Sequence, residues 1–156
     1  MRLYVIRHTH AGHRSSWDGP DDLRPLSTRG RRQAAAIAEH LASAGISRLV
    51  SSDSVRCVQA LEPLGDRIGV PIEVDRRLRE GTSGEDVLEL AGELRKEREA
   101  AAVCSHGDVI PELLRALKST TARFKDPLQW PKGSTWVLTW DGERWSRARY
   151  IPPPEV

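Results

Sequence analysis

The chain has 156 residues, 38% of them hydrophobic and 29% charged, with a formal net charge of +2. That length suits one domain with its own core, and so small a net charge argues against a general nucleic-acid binder. No apolar run approaches the ~20 residues of a membrane helix, no basic-then-apolar leader opens the chain, and Cys57 and Cys104 lack metal-site spacing, so reduced thiols in a cytoplasmic protein are expected.

Apolar strand runs alternate with helical patterns along the chain, which predicts a three-layer α/β/α fold with a mainly parallel central sheet. The first strand is Leu3 to Arg7. A polar loop from Thr9 to Pro25 follows, long enough to suggest function. Ser27 or Thr28 can cap the first helix, whose stripe is Ala34, Ile37, Ala38 and Leu41, with Gly45 stopping it. Next come a strand from Arg48 to Ser51, a helix from Ser54 to Ile68 kinked at Pro63, and a short strand from Ile72 to Val74. Val87, Leu90, Ala91 and Leu94 mark a third helix, Ala101 to Cys104 a fourth strand, and Asp108 to Leu117 a fourth helix. Thr135–Trp140 and Arg144–Tyr150 flank Asp141-Gly142, a hairpin turn signal, which puts a C-terminal antiparallel hairpin at the sheet edge. Residues 1–151 read as a single domain, and residues 152–156, with three prolines in a row, as a frayed tail.

Two of these strands run directly into histidine. Leu3-Tyr4-Val5-Ile6 leads into Arg7-His8-Thr9, and Ala101-Ala102-Val103-Cys104 into Ser105-His106-Gly107. If the strands are parallel neighbours, both imidazoles lie at one sheet edge, where open α/β sheets bind ligands. A histidine there can attack phosphorus and carry a covalent phosphoryl group, and Arg7 offers bidentate contact to phosphate oxygens. An isolated strand-end histidine is more often structural; the adjoining arginine changes that balance. Arg56, one turn into the helix after Ser51-Ser52-Asp53-Ser54-Val55, adds a cation near a helix N-terminus. Glu80, in Arg77-Leu78-Arg79-Glu80-Gly81, can protonate a leaving oxygen and then activate water. Each also has a plainer reading, as a solvated surface arginine or carboxylate.

Taken together these blocks resemble the histidine phosphatase superfamily, the phosphoglycerate-mutase-like fold. The resemblance rests on Arg7-His8-Thr9, where the family has glycine third; on Ser51-Ser52-Asp53-Ser54-Val55-Arg56 with Gln59; on Leu78-Arg79-Glu80; on Ser105-His106-Gly107; and on Leu26-Ser27-Thr28-Arg29-Gly30 with Gln33. The blocks occur in order across residues 1 to about 120. The resemblance implies His8 as phosphoryl-accepting nucleophile, Glu80 as proton donor, and Arg7, Arg56 and His106 as the phosphate pocket, with no cofactor and no metal. Threonine at position 9 costs backbone freedom there. The short chain is similar to the small SixA-type phosphatases, and more so to the phosphatase half of two-domain MutT-type hydrolases, in which a Nudix domain comes first. Asp21-Asp22-Leu23-Arg24-Pro25-Leu26, Arg56-Cys57, Val109-Ile110-Pro111 and Lys132-Gly133-Ser134-Thr135-Trp136-Val137-Leu138 carry that likeness. Met1 opens directly into the first strand, so a free-standing form or a fragment is expected, with functional pairing to a separate Nudix hydrolase left open.

The resulting expectation is a metal-independent phosphatase acting on a phosphomonoester or nucleotide phosphate. Its alternatives are a protein phosphohistidine phosphatase and a non-catalytic phospho-ligand-binding regulatory domain; a mutase fits so short a chain less well. A zinc site at His10 and His13 lacks a fourth ligand at sensible spacing. Arg14, Arg24, Arg29, Arg76, Arg77 and Arg79 are candidates to ring the site, whereas Arg31 and Arg32 read as a solvated helix face. Trp136, Leu138 and Trp140 share one strand face, Trp130 and Lys132 are placed to meet a substrate, and exposed tryptophan also offers a homodimer surface.

Overall fold

The computed structural model describes residues 1–120 and 122–156. In chain order its elements are β1 (Arg2–Arg7), α1 (Thr28–Leu41), β2 (Ile46–Ser51), α2 (Val55–Ile68), β3 (Ile72–Val74), α3 (Gly84–Leu94), β4 (Ala100–Ser105), α4 (Val109–Lys118), β5 (Arg123–Phe124), β6 (Thr135–Trp140) and β7 (Trp145–Ile151). They build one seven-stranded mixed sheet in the order β3-β2-β4-β1-β6-β7-β5. The neighbours from β3 to β1 are parallel, whereas β6 pairs antiparallel with β1 and β7 antiparallel with β6.

Helices cover both faces, and this is why the central strands are apolar along their whole length. Leu3, Val5, Ala101 and Val103 point into one core with Leu90, Leu94, Leu113 and Leu114 of α3 and α4. Their alternating neighbours Tyr4, Ile6, Ala102 and Cys104 enter the other core with Ile37, Leu41, Leu61 and Leu64 of α1 and α2. The strand period of two thus divides each sequence run between two cores. Both cysteines are buried and free.

Local signals fix several boundaries. Ser27 caps α1, its hydroxyl accepting from the Gly30 N–H at 3.0 Å, and Ser83 caps α3 in the same way. α2 runs continuously through Pro63. Trp136 and Leu138 lie in one core with Trp140 packed against it, as their alternation predicts. The C-terminal hairpin covers the free side of β1, and β5, pairing parallel with β7, forms the outer edge beyond it. A two-residue strand carries no periodicity, so sequence reasoning had no signal for β5.

α1 packs tightly onto the segment after β1. A Cβ at Gly30 would stand 1.9 Å from the His10 carbonyl oxygen, so only glycine permits this approach. Gly92, in α3, has open space where its Cβ would be. Gly30→Ala is therefore expected to cost about 1–3 kcal/mol, while Gly92→Ala gains ~0.5–1 kcal/mol from reduced chain entropy. Urea unfolding of the two variants checks both signs.

Candidate active site

β1 and β4 lie in parallel register with Arg7 opposite Ser105, and the His8 N–H extends the ladder to the Ser105 carbonyl at 3.1 Å. His8 and His106 therefore leave the same edge of the sheet side by side, ring centroids 5.5 Å apart. Both are buried.

The hydrogen bonds of His8 settle its tautomer. Nδ1 lies 2.9 Å from the Thr9 carbonyl oxygen, which only accepts, so Nδ1 carries the proton. Nε2 in turn accepts from Arg56 Nε at 3.3 Å and holds the lone pair. Burial, reinforced by the nearby charges of His106, Arg56 and Arg7, lowers the His8 pKa to about 3, although its bond to Thr9 opposes the shift. His8 is thus a neutral imidazole with its lone pair among cations. Thr9 takes the family's glycine position without strain: no residue other than glycine has a positive φ among those described. Its hydroxyl donates to the Gly30 carbonyl at 2.8 Å and ties the loop to α1.

Arg7, Arg56, Glu80 and His106 converge on this ring. Arg7 Nη1 donates to the Trp130 carbonyl at 2.8 Å, and its buried Nε meets no acceptor among the described residues. A Cβ on Gly107 would come within 2.7 Å of the Arg7 guanidinium carbon, so glycine at this position makes room for the arginine. The Arg56 side chain is only 2% exposed. Its Nη2 lies 2.6 Å from Glu80 Oε1 and 3.1 Å from Asp21 Oδ2, and its Nη1 donates to the Asp21 carbonyl at 2.7 Å. His106 Nδ1 is 3.2 Å from Glu80 Oε1, and Ser52 Oγ is 2.8 Å from its Nε2.

Sequence reasoning gave no role to Asp21, Ser52 or the Trp130 carbonyl, although Asp21 and Ser52 lie in stretches that carry the family likeness. Asp21 opens a 3₁₀ turn (Asp21–Leu23) inside the long polar loop. Burial alone would raise its carboxyl, but Arg24, Arg56 and Arg14 together hold it below the ordinary carboxylate value. Arg24 is buried, and its Nη1 donates to the Ala11 carbonyl at 2.7 Å. Of the other arginines, Arg77 pairs with Asp75 and Glu93 and Arg79 with Asp53, while Arg31 and Arg32 are exposed on α1.

Glu80 borders two recesses. One, of about 300 Å³, includes Ser52, Arg56 and His106 in its lining. The other, of about 230 Å³, includes Arg7, His8, His13, Arg14, Arg24 and Lys132. Burial and the charges of Arg7, Arg24, Arg56 and Arg14 lower the Lys132 pKa. A separate groove of about 290 Å³ between α1 and the chain end, lined by Ile37, His40, Pro153 and Pro154 among others, contains none of these side chains. At the zinc alternative, His10 Nδ1 sits 2.6 Å from Ser27 Oγ. No group of three or more His, Cys, Asp or Glu side chains that could hold a metal occurs among the described residues.

Residues 3–87 match the histidine phosphatase superfamily (branch 1), and the chain belongs to that superfamily. It is 34% identical over 160 residues to an 8-oxo-(d)GTP phosphatase of Mycolicibacterium smegmatis, covering 98% of this chain and 48% of that protein. It is 41% identical over 88 residues to a glucosyl-3-phosphoglycerate phosphatase of Mycolicibacterium vanbaalenii, covering 54% of this chain and 38% of that one. The chain thus spans about half the length of the first relative and less of the second. The fold is similar to that of the protein histidine phosphatase SixA solved with tungstate, at a TM-score of 0.77 and 22% identity, covering 97% of this chain and 94% of that one.

The depressed His8 pKa has a consequence for stability. An unfolded His8 takes up a proton near its ordinary value of 6.5, whereas the folded one does so only near 3. Its contribution is therefore complete above pH ~6.5 and is lost as pH falls towards ~3, by up to ~1.4 kcal/mol per pH unit. His8→Gln removes this titration. Urea unfolding across that window is expected to give a shallower loss of stability in the variant than in wild type.

Proposed function

We propose that the chain is a metal-independent phosphatase that hydrolyses a phosphomonoester or nucleotide phosphate through a phosphohistidine at His8. The observation that carries this reading is the neutral His8 ring, its Nε2 lone pair set beside Arg56 and His106. An imidazole in that form is a nucleophile without prior loss of a proton.

In the first step His8 Nε2 attacks phosphorus in line, the N–P bond forms, and the bond to the leaving oxygen breaks. The leaving oxygen takes the bond pair and a proton from the carboxyl of Glu80. Arg7, Arg56 and His106 hold the non-bridging oxygens as charge redistributes. In the second step water attacks phosphorus, Glu80 takes its proton, and the N–P bond pair returns to Nε2. Phosphate leaves and the neutral imidazole is restored.

The choice of a small phosphorylated molecule, with nucleotides foremost, is supported by the likeness to the 8-oxo-(d)GTP phosphatase over nearly the whole chain. Lys132 and the arginines beside His8 offer more positive charge than one phosphoryl oxygen set needs. The likeness to SixA is one of fold, so it does not favour a protein phosphohistidine over a small substrate. The convergence of a nucleophile with a proton donor favours turnover over a binding-only role. Two free cysteines suit a reducing cytoplasm, and pairing with a Nudix hydrolase or with a second copy of the chain stays within this reading.

Wild type is expected to hydrolyse para-nitrophenyl phosphate with EDTA present, and His8→Ala to lose at least ~1000-fold in kcat. Rapid quench should trap an acid-labile, alkali-stable phosphoryl group on wild type only. A requirement for added divalent metal, or full activity in His8→Ala, would remove the covalent-histidine mechanism. Across aryl phosphates, Glu80→Gln should slow turnover most for poor leaving groups; an equal loss for all would remove Glu80 as the acid.

A further inference from the structure

Arg56 has two carboxylate partners, and they are held differently. Asp21 meets Arg56 twice, through its carbonyl at 2.7 Å and through Oδ2 at 3.1 Å. Its other oxygen accepts from Arg24 Nε at 3.0 Å. Arg24 is itself buried and fixed to the Ala11 carbonyl, three residues past the nucleophile. To leave Arg56 completely, Asp21 would have to carry its backbone with it and unwind its 3₁₀ turn. Glu80 meets Arg56 only through its side chain, which is 40% exposed. Its Oε1 sits 2.6 Å from Arg56 Nη2 and 3.2 Å from His106 Nδ1, so one oxygen covers both groups. These are the groups that an incoming phosphoryl oxygen would use.

We propose that Asp21 is a positioning residue that fixes the Arg56 guanidinium for the phosphoryl group, whereas Glu80 is the partner which that group displaces. Displacement frees the Glu80 carboxylate from both cations; it then takes up a proton from solvent and passes it to the leaving oxygen, so its resting contact and its role as acid follow one another. Arg14, exposed and 3.1 Å from Asp21 and 3.4 Å from Glu80, follows either carboxylate. The assignment rests on the phosphatase reading and adds a residue to it.

The two roles predict opposite signs. Removing any carboxylate from an anion site strengthens anion binding by charge alone. Loss of a positioning partner weakens it, because a buried guanidinium left under-bonded shifts from its place. Tungstate, a phosphate mimic, is titrated calorimetrically into wild type, Asp21→Asn, Asp21→Glu and Glu80→Gln, with thermal melts to establish folding. Asp21→Asn is expected to bind tungstate at least ~10-fold more weakly, Asp21→Glu to fall between it and wild type, and Glu80→Gln to bind more tightly. If Asp21→Asn does not fold, Asp21→Glu decides. It keeps the charge but moves it by one methylene, so weaker binding supports positioning and unchanged binding overturns it. Tighter binding by Asp21→Asn, or a shift of Asp21→Asn and Glu80→Gln in the same direction, overturns the assignment while wild-type turnover leaves the phosphatase reading standing. Wild type that neither binds tungstate nor hydrolyses para-nitrophenyl phosphate removes both.

Discussion

A guanidinium kept almost wholly out of water is the constraint around which this site is built. Arg56 exposes 2% of its side chain, and a buried charge persists only when opposite charge and hydrogen bonds replace its hydration. Asp21 comes from the loop after β1, Glu80 from the loop after β3, and His8 from the end of β1. Three separate stretches of chain are thus fixed in place by the needs of one side chain. The same low-dielectric setting that makes an unpaired Arg56 costly strengthens every contact it does make. A group that binds there must match those contacts rather than merely carry negative charge.

Strand register supplies the complementary constraint. With Arg7 opposite Ser105, the next residue of each strand is a histidine, and the pair can only emerge together. The loop beyond His8 is then clamped from two sides. The Gly133 N–H lies 3.1 Å from both the Arg7 and His8 carbonyls, and on the other side Thr9 bonds to Gly30 under α1. His8 is therefore held by backbone and short side chains, which have little conformational freedom to lose.

This explains which parts were legible in the sequence. β1 and β4 are continuous apolar runs because helices cover both of their faces, and a run that ends in histidine marks its own functional end. Arg7, His8 and His106 could be read because strand geometry alone brings them together. Arg56 and Glu80 were legible only as candidates, since neither an arginine one turn into a helix nor a loop carboxylate is distinctive, and the family resemblance is what tied them to the same site. Asp21 stood only inside a stretch that carries a family likeness, with no role attached to it. It lies in an aperiodic loop, and its partners Arg24 and Arg56 are three and thirty-five positions away, so only the folded loop joins them. The Trp130 carbonyl on Arg7 was hidden for another reason: a backbone acceptor is the same whatever side chain it carries. At Thr9, where the family has glycine, the φ is not positive and the hydroxyl is used to tie the loop to α1.

The two arginines beside His8 are consequently unequal. Arg56 lies between Asp21 and Glu80 and is locally balanced. Among the described residues Arg7 makes one side-chain hydrogen bond, to an uncharged carbonyl, and its buried Nε–H meets no protein acceptor. Burial lowers the Arg7 pKa, with Asp108 and Glu80 acting only through space to offset it. Lys132 stands nearby in the same recess, destabilised by burial and by its cationic neighbours. An anion that reaches this edge therefore relieves an existing imbalance on the Arg7 side but has to compete with a carboxylate on the Arg56 side. A dianion that can satisfy both at once, with oxygens pointing in several directions from one centre, fits that asymmetry better than a planar carboxylate, and a phosphoryl group has that shape.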